Sequence, residues 1–228
     1  LPSQITEDKF STVIPTEARK YIPVPISEVT LDWSIIPPEI EASKIIDDTV
    51  GPTNQQPKTT GNTEVLVVAI HNDTLTRYQE VLTKTEIQSH SFEMEIFSGI
   101  RSTFSRDIAP VLLMDFGASK TKLSIVEAGV VRVFHVVNRG SCDITKNIAT
   151  SLSISFTDAE KLKRLVGLDA TSNPQVAEIV RLSTDYIFSD TNSVVLAYEK
   201  KYNKNISKII ITGGGSLLKG LLPRAVEN

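Results

Sequence analysis

The sequence predicts a mixed α/β fold in two parts, an α+β unit followed by a larger α/β unit. Three observations support this prediction. Apolar runs of strand length alternate with amphipathic stretches of helix length along the chain. Three strand-like runs joined by tight turns open the second part. The second part closes with an isoleucine-rich run, three glycines and a leucine-rich stretch. This is the strand-turn-helix order of α/β units.

Composition excludes several classes of function. The chain has 228 residues, of which 40% are hydrophobic, and this is enough to bury the cores of two domains. Its formal net charge of −3 is spread over interspersed acidic and basic residues, so no basic surface for nucleic acid is expected. The single cysteine, Cys142, and three scattered histidines provide neither an intramolecular disulfide nor a zinc cluster, which is typical of a cytosolic protein.

Hydropathy and the two chain ends bear on membrane association. The sequence has no run of about 20 apolar residues that would span a bilayer, and no basic segment precedes an apolar stretch at the N-terminus. Neither export nor direct membrane insertion is therefore expected. The chain begins with Leu1 and stops at Asn228 shortly after a helix is expected to begin, so both ends are expected to be cut.

The first part is predicted to contain two helices and two strands. A short helix should end at Tyr21, and Pro15 should kink it or delay its start. Residues 29–36 are rich in β-branched and aromatic side chains, which favours a strand. The continuous apolar run 65–70 is typical of a buried strand, and Asn72 is suited to cap an amphipathic helix after it.

A long loop is predicted between these two strands. Residues 37–62 are dominated by Pro, Gly, Thr, Asn and Gln, which provide little apolar surface for a core. We expect residues 51–61 to be the most mobile internal segment, because such side chains cannot offset the entropy lost on ordering.

The second part is predicted to begin after a short connection. A strand around residues 92–94 and a helix near Gly99 should form this connection. The apolar runs 111–114, 123–126 and 131–137 are separated by tight turns. They predict a three-stranded β-meander that opens an α/β unit.

Helices should follow the meander. Asp143 is suited to cap the first of them. Thr157 and Glu160 have the spacing of a capping box for the second. Asn173 followed by Pro174 predicts the start of the third and longest helix, because proline is favoured in a first turn.

The turn after the first meander strand is a candidate ligand site. Gly117 allows backbone N–H groups to approach phosphate oxygens, and Ala118 and Ser119 complete the turn. Asp115 at the end of the strand could hold Mg²⁺ through water. A plain hairpin with a solvated polar tip is the alternative. The D-F-G letters also occur in protein kinases, but the H-R-D loop of kinases is missing from the sequence.

A second candidate follows the predicted strand 208–212. Gly213, Gly214 and Gly215 clear space for a flat ring or a sugar, and a helix starting at Ser216 would favour a negative group at its N-terminus. A flexible turn without a ligand is the alternative. Neither glycine turn matches the P-loop or the G-x-G-x-x-G pattern.

Glu160 and Lys163 form a third candidate. They lie one helical turn apart, so their side chains could bracket a ribose or an adenine edge. The alternative is structural, with Glu160 completing the capping box of Thr157 and Lys163 a solvated charge.

The order of these three features resembles the second half of actin-like ATPases. Residues 65–137 also resemble FtsA and the PilM family, and the E-A-R-K-Y-I-P-V-P-I-S-E-V stretch at 17–29 resembles PilM in particular. The resemblance implies a partial FtsA/PilM-like, actin-type ATPase fold. An FtsA-like inserted subdomain with a linking strand and helix would cover 1–108, and a truncated second actin-like domain, which binds nucleotide, would cover 109–228.

The resemblance also implies ATP and Mg²⁺ as ligands. It places them against Asp115, Gly117, Ala118, Ser119, Glu160, Lys163, Gly213, Gly214, Gly215 and Ser216. The first turn would face the phosphates, and Asp115 would hold Mg²⁺ through water. The E-x-x-K pair would contact the ribose and base, and the glycine run would contact the adenosine. Glu95 falls where actin-like ATPases often carry a water-orienting residue, and a plain surface carboxylate is the alternative. The chain would supply one wall of the cleft, so a weak ATPase at most is expected of the whole protein and no activity of this chain.

The function implied by the resemblance is that of a cytoplasmic scaffold for type IV pilus assembly. Its partner would be the cytoplasmic tail of a PilN-like inner-membrane protein, bound near Tyr21, Ile22 and Trp33, and this partner would hold it at the inner membrane. Self-association is compatible with this role. An FtsA-like division protein is one alternative, which would need a C-terminal membrane helix. A small-molecule kinase is the other, and the inserted subdomain argues against it.

Overall fold

The computed structural model describes residues 1, 5, 7–36, 63–104 and 107–227. They form two compact units, Leu1–Phe92 and Glu93–Asn228. The predicted loop 37–62, including its predicted mobile segment, lies outside the described residues. None of the helices described is both long and apolar enough to cross a membrane. The division into family domains after residue 108 stays a prediction.

The first unit begins with helix α1, Phe10–Ala18. The helix runs through Pro15, so the predicted late start is wrong, although proline still removes one backbone hydrogen bond. The buried face of α1 is formed by Phe10, Ile14 and Ala18, which are spaced four residues apart. The helix ends before Tyr21, whose side chain is 84% exposed.

Two antiparallel strands follow in the first unit. Strand β1, Val29–Ile35, pairs with β2, Val65–His71, and Trp33 lies opposite Val67. Strand β2 was predicted to be buried, but its residues are only half-buried or exposed. A two-stranded sheet covers few of its own side chains, which explains why the continuous apolar run was misleading.

Helix α2, Asn72–Lys84, starts where it was predicted to start. Asn72 does not cap it, however. Its side chain donates to the carbonyl oxygen of Ser27 at 3.0 Å and accepts from Thr30 Oγ1 at 2.8 Å. Asn72 therefore ties the start of α2 to the region of β1.

The second unit begins with helix α3, Glu95–Thr103. The strand predicted before it is wrong, because residues 85–94 contain no strand. Polar residues separate Ile87 from Phe92, and both of these side chains remain exposed. This segment lacks a continuous apolar face that a sheet could bury.

A four-stranded sheet forms the centre of the second unit. The predicted meander is confirmed as β3, Val111–Phe116, β4, Thr121–Glu127, and β5, Val130–Val137. Strand β6, Lys208–Thr212, pairs in parallel with β3, so the strand order is β5-β4-β3-β6. Because β3 and β6 are parallel neighbours, their carboxyl ends meet at the same edge of the sheet.

Helices cover both faces of this sheet. The larger core joins one face to α4, Ser141–Leu152, α5, Phe156–Val166, α6, Pro174–Tyr202, and α7, Leu221–Glu227. Its fully buried strand residues include Leu112, Met114, Phe116, Leu123 and Ile125. The opposite face packs against α3 through Ile96 and Ile100.

Two predicted helix caps are corrected by the structure. Asp143 is the third residue of α4 rather than its cap, and its carboxylate accepts from the N–H of Gly140 at 3.0 Å. The cap of α5 is Ser155, whose hydroxyl accepts from the N–H of Asp158 at 3.1 Å. The predicted capping box with Thr157 is therefore wrong.

The cap predicted for α6 is confirmed. The side chain of Asn173 accepts from the N–H of Val176 at 3.1 Å, and Pro174 is the first helical residue. Proline fits this position because its missing N–H has no partner within the helix there. The 29-residue α6 is the longest helix among the described residues.

Candidate functional site

The two glycine turns lie side by side at one edge of the sheet. Asp115 on β3 is in register with Thr212 on β6, directly before the glycine run. A Cβ atom added to Gly213 would lie 2.6 Å from Oδ1 of Asp115, and one added to Gly215 would lie 2.6 Å from Cδ2 of Phe116. Only glycine allows the backbone to approach this closely. The two turns therefore lie close together.

Gly214 differs from the glycines on either side of it. A Cβ atom added there would meet no heavy atom within 4 Å, so the backbone at Gly214 borders open space. Residues Gly214–Leu217 form a 3₁₀ turn, and α7 begins only at Leu221. The predicted helix start at Ser216 is therefore wrong, and no helix dipole acts at the glycine run.

The first glycine turn is joined to the start of α4. The carbonyl oxygens of Gly117 and Ala118 accept from the N–H groups of Ser141 at 2.9 Å and Cys142 at 2.8 Å. The helix start is therefore already satisfied by the turn. Within the described part of the chain, no group accepts from the N–H of Ala118 or Ser119. These exposed N–H groups are the ones left to meet an anion.

Asp115 has a lysine as its direct cross-strand neighbour. Lys122 on β4 lies opposite Asp115, and its Nζ is 3.8 Å from Oδ2 of Asp115. The same ammonium group donates to the carboxylate of Glu95 at the start of α3. This hydrogen bond lowers the pKa of Glu95. Glu95, Lys122 and Asp115 thus form one chain of alternating charges.

This arrangement does not fit the predicted magnesium ion at Asp115. A divalent cation at the Asp115 carboxylate would be repelled by the ammonium group already beside it. The described residues also contain no group of three or more His, Cys, Asp or Glu side chains placed to hold a metal. No step that uses a metal is therefore derived for this chain.

Lys163 is buried among polar partners. Its side chain donates to the carbonyl oxygen of Ser141 at 3.0 Å, to the hydroxyl of Ser141 at 2.7 Å and to Thr145 Oγ1 at 2.9 Å. It also pairs with Glu160 at 2.7 Å. The alternative of a solvated lysine is wrong, because the residue is only 4% exposed. Through Ser141, Lys163 supports the part of α4 that holds the first glycine turn.

Glu160 accepts three charged or polar donors. Desolvation by burial raises the pKa of its carboxyl group, but hydrogen bonds from Lys163, Thr145 and Arg164 outweigh this effect and lower the pKa to about 2. Its side chain is 26% exposed. One edge of the carboxylate therefore remains within reach of a ligand hydroxyl.

Comparison with known proteins decides the family. The profile described as type IV pilus assembly protein PilM matches residues 1–228. The chain belongs to the PilM family. The solved structure named PilM-PilN type IV pilus biogenesis complex is 21% identical, with a TM-score of 0.77. The match covers 100% of this chain and 61% of that chain. No curated protein matches the sequence.

Two further structures show that the fold is of the actin type. MreB5 of Spiroplasma citri bound to ADP is 15% identical, and the AMPPNP-bound form is 14% identical. Both have a TM-score of 0.56 and match 69% of this chain and 58% of theirs. The family match agrees with the PilM resemblance of the sequence and not with the FtsA one.

Two cavities in the second unit of this PilM-family chain are lined mainly by helix residues. One of about 370 Å³ lies between α4 and α6, and another of about 380 Å³ lies beside α7. Neither is lined by a residue that the sequence predicted for the site.

Sequence reasoning missed Ser141 and Thr145 of this PilM-family site, and it left open whether Lys122 helps to bind phosphate or is only solvated. Ser141 and Thr145 hold Lys163, and Lys122 pairs with Asp115 and Glu95. A short hairpin turn after Asp115 sets the strand register, so the pairing with Lys122 could have been found from the turn length. The role of Ser141 and Thr145 depends on how α4 and α5 pack, which leaves no local signal.

The low pKa of Glu160 predicts acid sensitivity. Because this pKa is about 2 in the folded state and 4.5 in its unperturbed state, the ionised carboxylate stabilises the fold fully above pH 4.5. This contribution should be lost as the pH falls towards 2. Urea unfolding at several pH values should show a steeper loss for the wild type than for Glu160→Gln. Equal pH dependence in the two proteins would contradict the prediction.

Proposed function

We propose that this chain is the nucleotide-binding part of a PilM-family scaffold in type IV pilus assembly, with ATP lying along the edge where the two glycine turns meet. The open backbone at Gly214, beside glycines that admit no side chain, carries the proposal. A backbone without a steric barrier is what a flat base or sugar needs for close approach.

Each candidate residue has a role that follows from its surroundings. The free N–H groups of Ala118 and Ser119 are the donors for phosphate oxygens. The partly exposed carboxylate of Glu160 accepts from a ribose hydroxyl. Lys163 is buried, so it positions α4 and the first turn instead of touching the base. Gly214 and Ser216 contribute the backbone surface for the adenosine.

ATP hydrolysis by this chain is not part of the proposed function. Phosphoryl transfer requires the phosphates to be clamped from several sides, because positioning and electrostatics supply most of the rate. The chain offers one edge of a sheet, and Glu95 is paired with Lys122 instead of standing free to orient water. We expect no measurable turnover of ATP.

The proposed partner is the cytoplasmic tail of a PilN-like inner-membrane protein. The likeness to the solved PilM-PilN complex over the whole of this chain supports the choice. Tyr21 in the first unit offers an exposed aromatic ring, Ile22 follows it directly, and Trp33 lies on β1, the next strand along the chain. Aromatic anchors of this kind are typical of binding hot spots. The partner would hold the protein at the inner membrane.

Titration calorimetry with ATP tests the nucleotide proposal. We expect weak binding that saturates, because an open edge leaves much of the triphosphate hydrated. Gly214→Val should weaken binding by at least about tenfold without changing the melting temperature, since the new side chain fills only open space. The matched control is Ala170→Val in the loop before α6, which is also exposed and should leave binding unchanged. Absence of ATP binding, or unchanged binding by Gly214→Val, would overturn the proposal.

A further inference from the structure

The position of Lys122 is set by the backbone. Strand register places it directly opposite Asp115, and both side chains lie on the sheet face that α3 covers. Its neighbours along β4, Thr121 and Leu123, are completely buried on the other face. The strand therefore cannot shift by one residue without exposing its core side chains. The register therefore fixes Lys122 as the direct cross-strand neighbour of Asp115.

The charge of Lys122 is shared between two carboxylates. Its side chain is 28% exposed, donates a hydrogen bond to Glu95 and places Nζ 3.8 Å from Oδ2 of Asp115. Lys120, two residues earlier in the same turn, is exposed and makes no ion pair in the described part of the chain. Lys122 therefore contacts acidic side chains, whereas Lys120 does not contact any within the described residues.

We propose that Lys122 is the built-in cation of this site. Its ammonium group takes the place beside Asp115 that a divalent metal ion would need. Asp115 therefore binds no metal, and phosphate at this edge is balanced by Lys122. The statement about phosphate rests on the proposed nucleotide function, whereas the statement about metal does not.

Manganese binding tests the metal statement without a nucleotide. Free Mn²⁺ gives a strong electron paramagnetic resonance signal that is lost on binding, so it reports uptake directly. The wild-type chain should leave Mn²⁺ free. Lys122→Met keeps the aliphatic stem and removes the charge, and it should raise Mn²⁺ affinity by at least about tenfold. The gain should disappear in Lys122→Met combined with Asp115→Asn. Lys120→Met is the matched control and should behave like the wild type.

Each result of this experiment decides the proposal. Binding of Mn²⁺ by the wild type that is lost in Asp115→Asn would overturn it. Failure of Lys122→Met to gain Mn²⁺ binding would also overturn it, because Lys122 would then not be what excludes the ion. Circular dichroism of every variant ensures that these comparisons are made on folded protein.

A second titration separates this proposal from the nucleotide function. ATP affinity of the wild type should be the same with Mg²⁺ as with EDTA, whereas Lys122→Met should lose about tenfold in EDTA and recover with Mg²⁺. If no ATP binds, the proposed function fails while the Mn²⁺ result still decides the metal statement. If ATP binds to the wild type only with Mg²⁺, the proposed function survives and the role of Lys122 is refuted.

Discussion

Replacing Lys163 with methionine is expected to lower the free energy of unfolding by about 3 to 5 kcal/mol. The substitution removes a buried ammonium group that donates to Ser141 and Thr145 and neutralises Glu160. The carbonyl and hydroxyl oxygens of Ser141, Thr145 Oγ1 and the Glu160 carboxylate would lose this donor together, and α4 would lose its main polar link to α5. Urea unfolding followed by circular dichroism measures the change.

The matched control for this prediction is Arg164→Met. Arg164 pairs with the same carboxylate of Glu160, at 2.8 Å, but its side chain is 78% exposed. A pair in contact with water contributes little, so the control should cost less than about 1 kcal/mol. Similar losses for the two variants would show that burial of Lys163 is not what makes its interactions stabilising.

Gly215→Val should lower the free energy of unfolding by more than about 3 kcal/mol, or prevent folding altogether. A side chain at this position would collide with the ring of Phe116, which is 1% exposed and belongs to the core of the second unit. The ring cannot move away, because close-packed core residues surround it. The melting temperature and the yield of folded protein report the effect.

The adjacent glycine provides the control. Gly214→Val places the same side chain in open space and should change the free energy of unfolding by less than about 0.5 kcal/mol. This contrast requires that the 3₁₀ turn has the backbone path described above. A large loss of stability in Gly214→Val would refute that path, and with it the accessible backbone on which the nucleotide proposal depends.

Most of the second unit could be predicted because its signals are local. The meander strands are short apolar runs bounded by turns, and Asn173 before Pro174 defines the start of α6 within two residues. Predictions failed where the surroundings of a segment in the fold differ from what its amino-acid composition suggests. The apolar run of β2 is typical of a buried strand, but the strand lies in a two-stranded sheet that covers little of it.

The candidate site shows the same limit. The proximity of the two glycine turns could be expected, because parallel strands end at one edge. The burial of Lys163 could not be expected, since a lysine three residues before the end of a helix is usually solvated. Its environment is created by Ser141 and Thr145, which are about twenty residues away in sequence and become neighbours only when α4 and α5 pack.

The parallel pairing of β3 with β6 has a consequence for the order of folding. Contacts at the start of this pair join Pro110 to Ser207, which are 97 residues apart. Closing so long a loop is entropically costly, and it becomes favourable only after the meander and the intervening helices have formed. We therefore expect the edge that brings the two glycine turns together to be the last part of the sheet to form, and the β3–β4 turn to form earlier with its local hairpin. Before β6 docks, the chain would contain the first turn alone, so we expect the proposed nucleotide-binding edge to be complete only at the final step of folding.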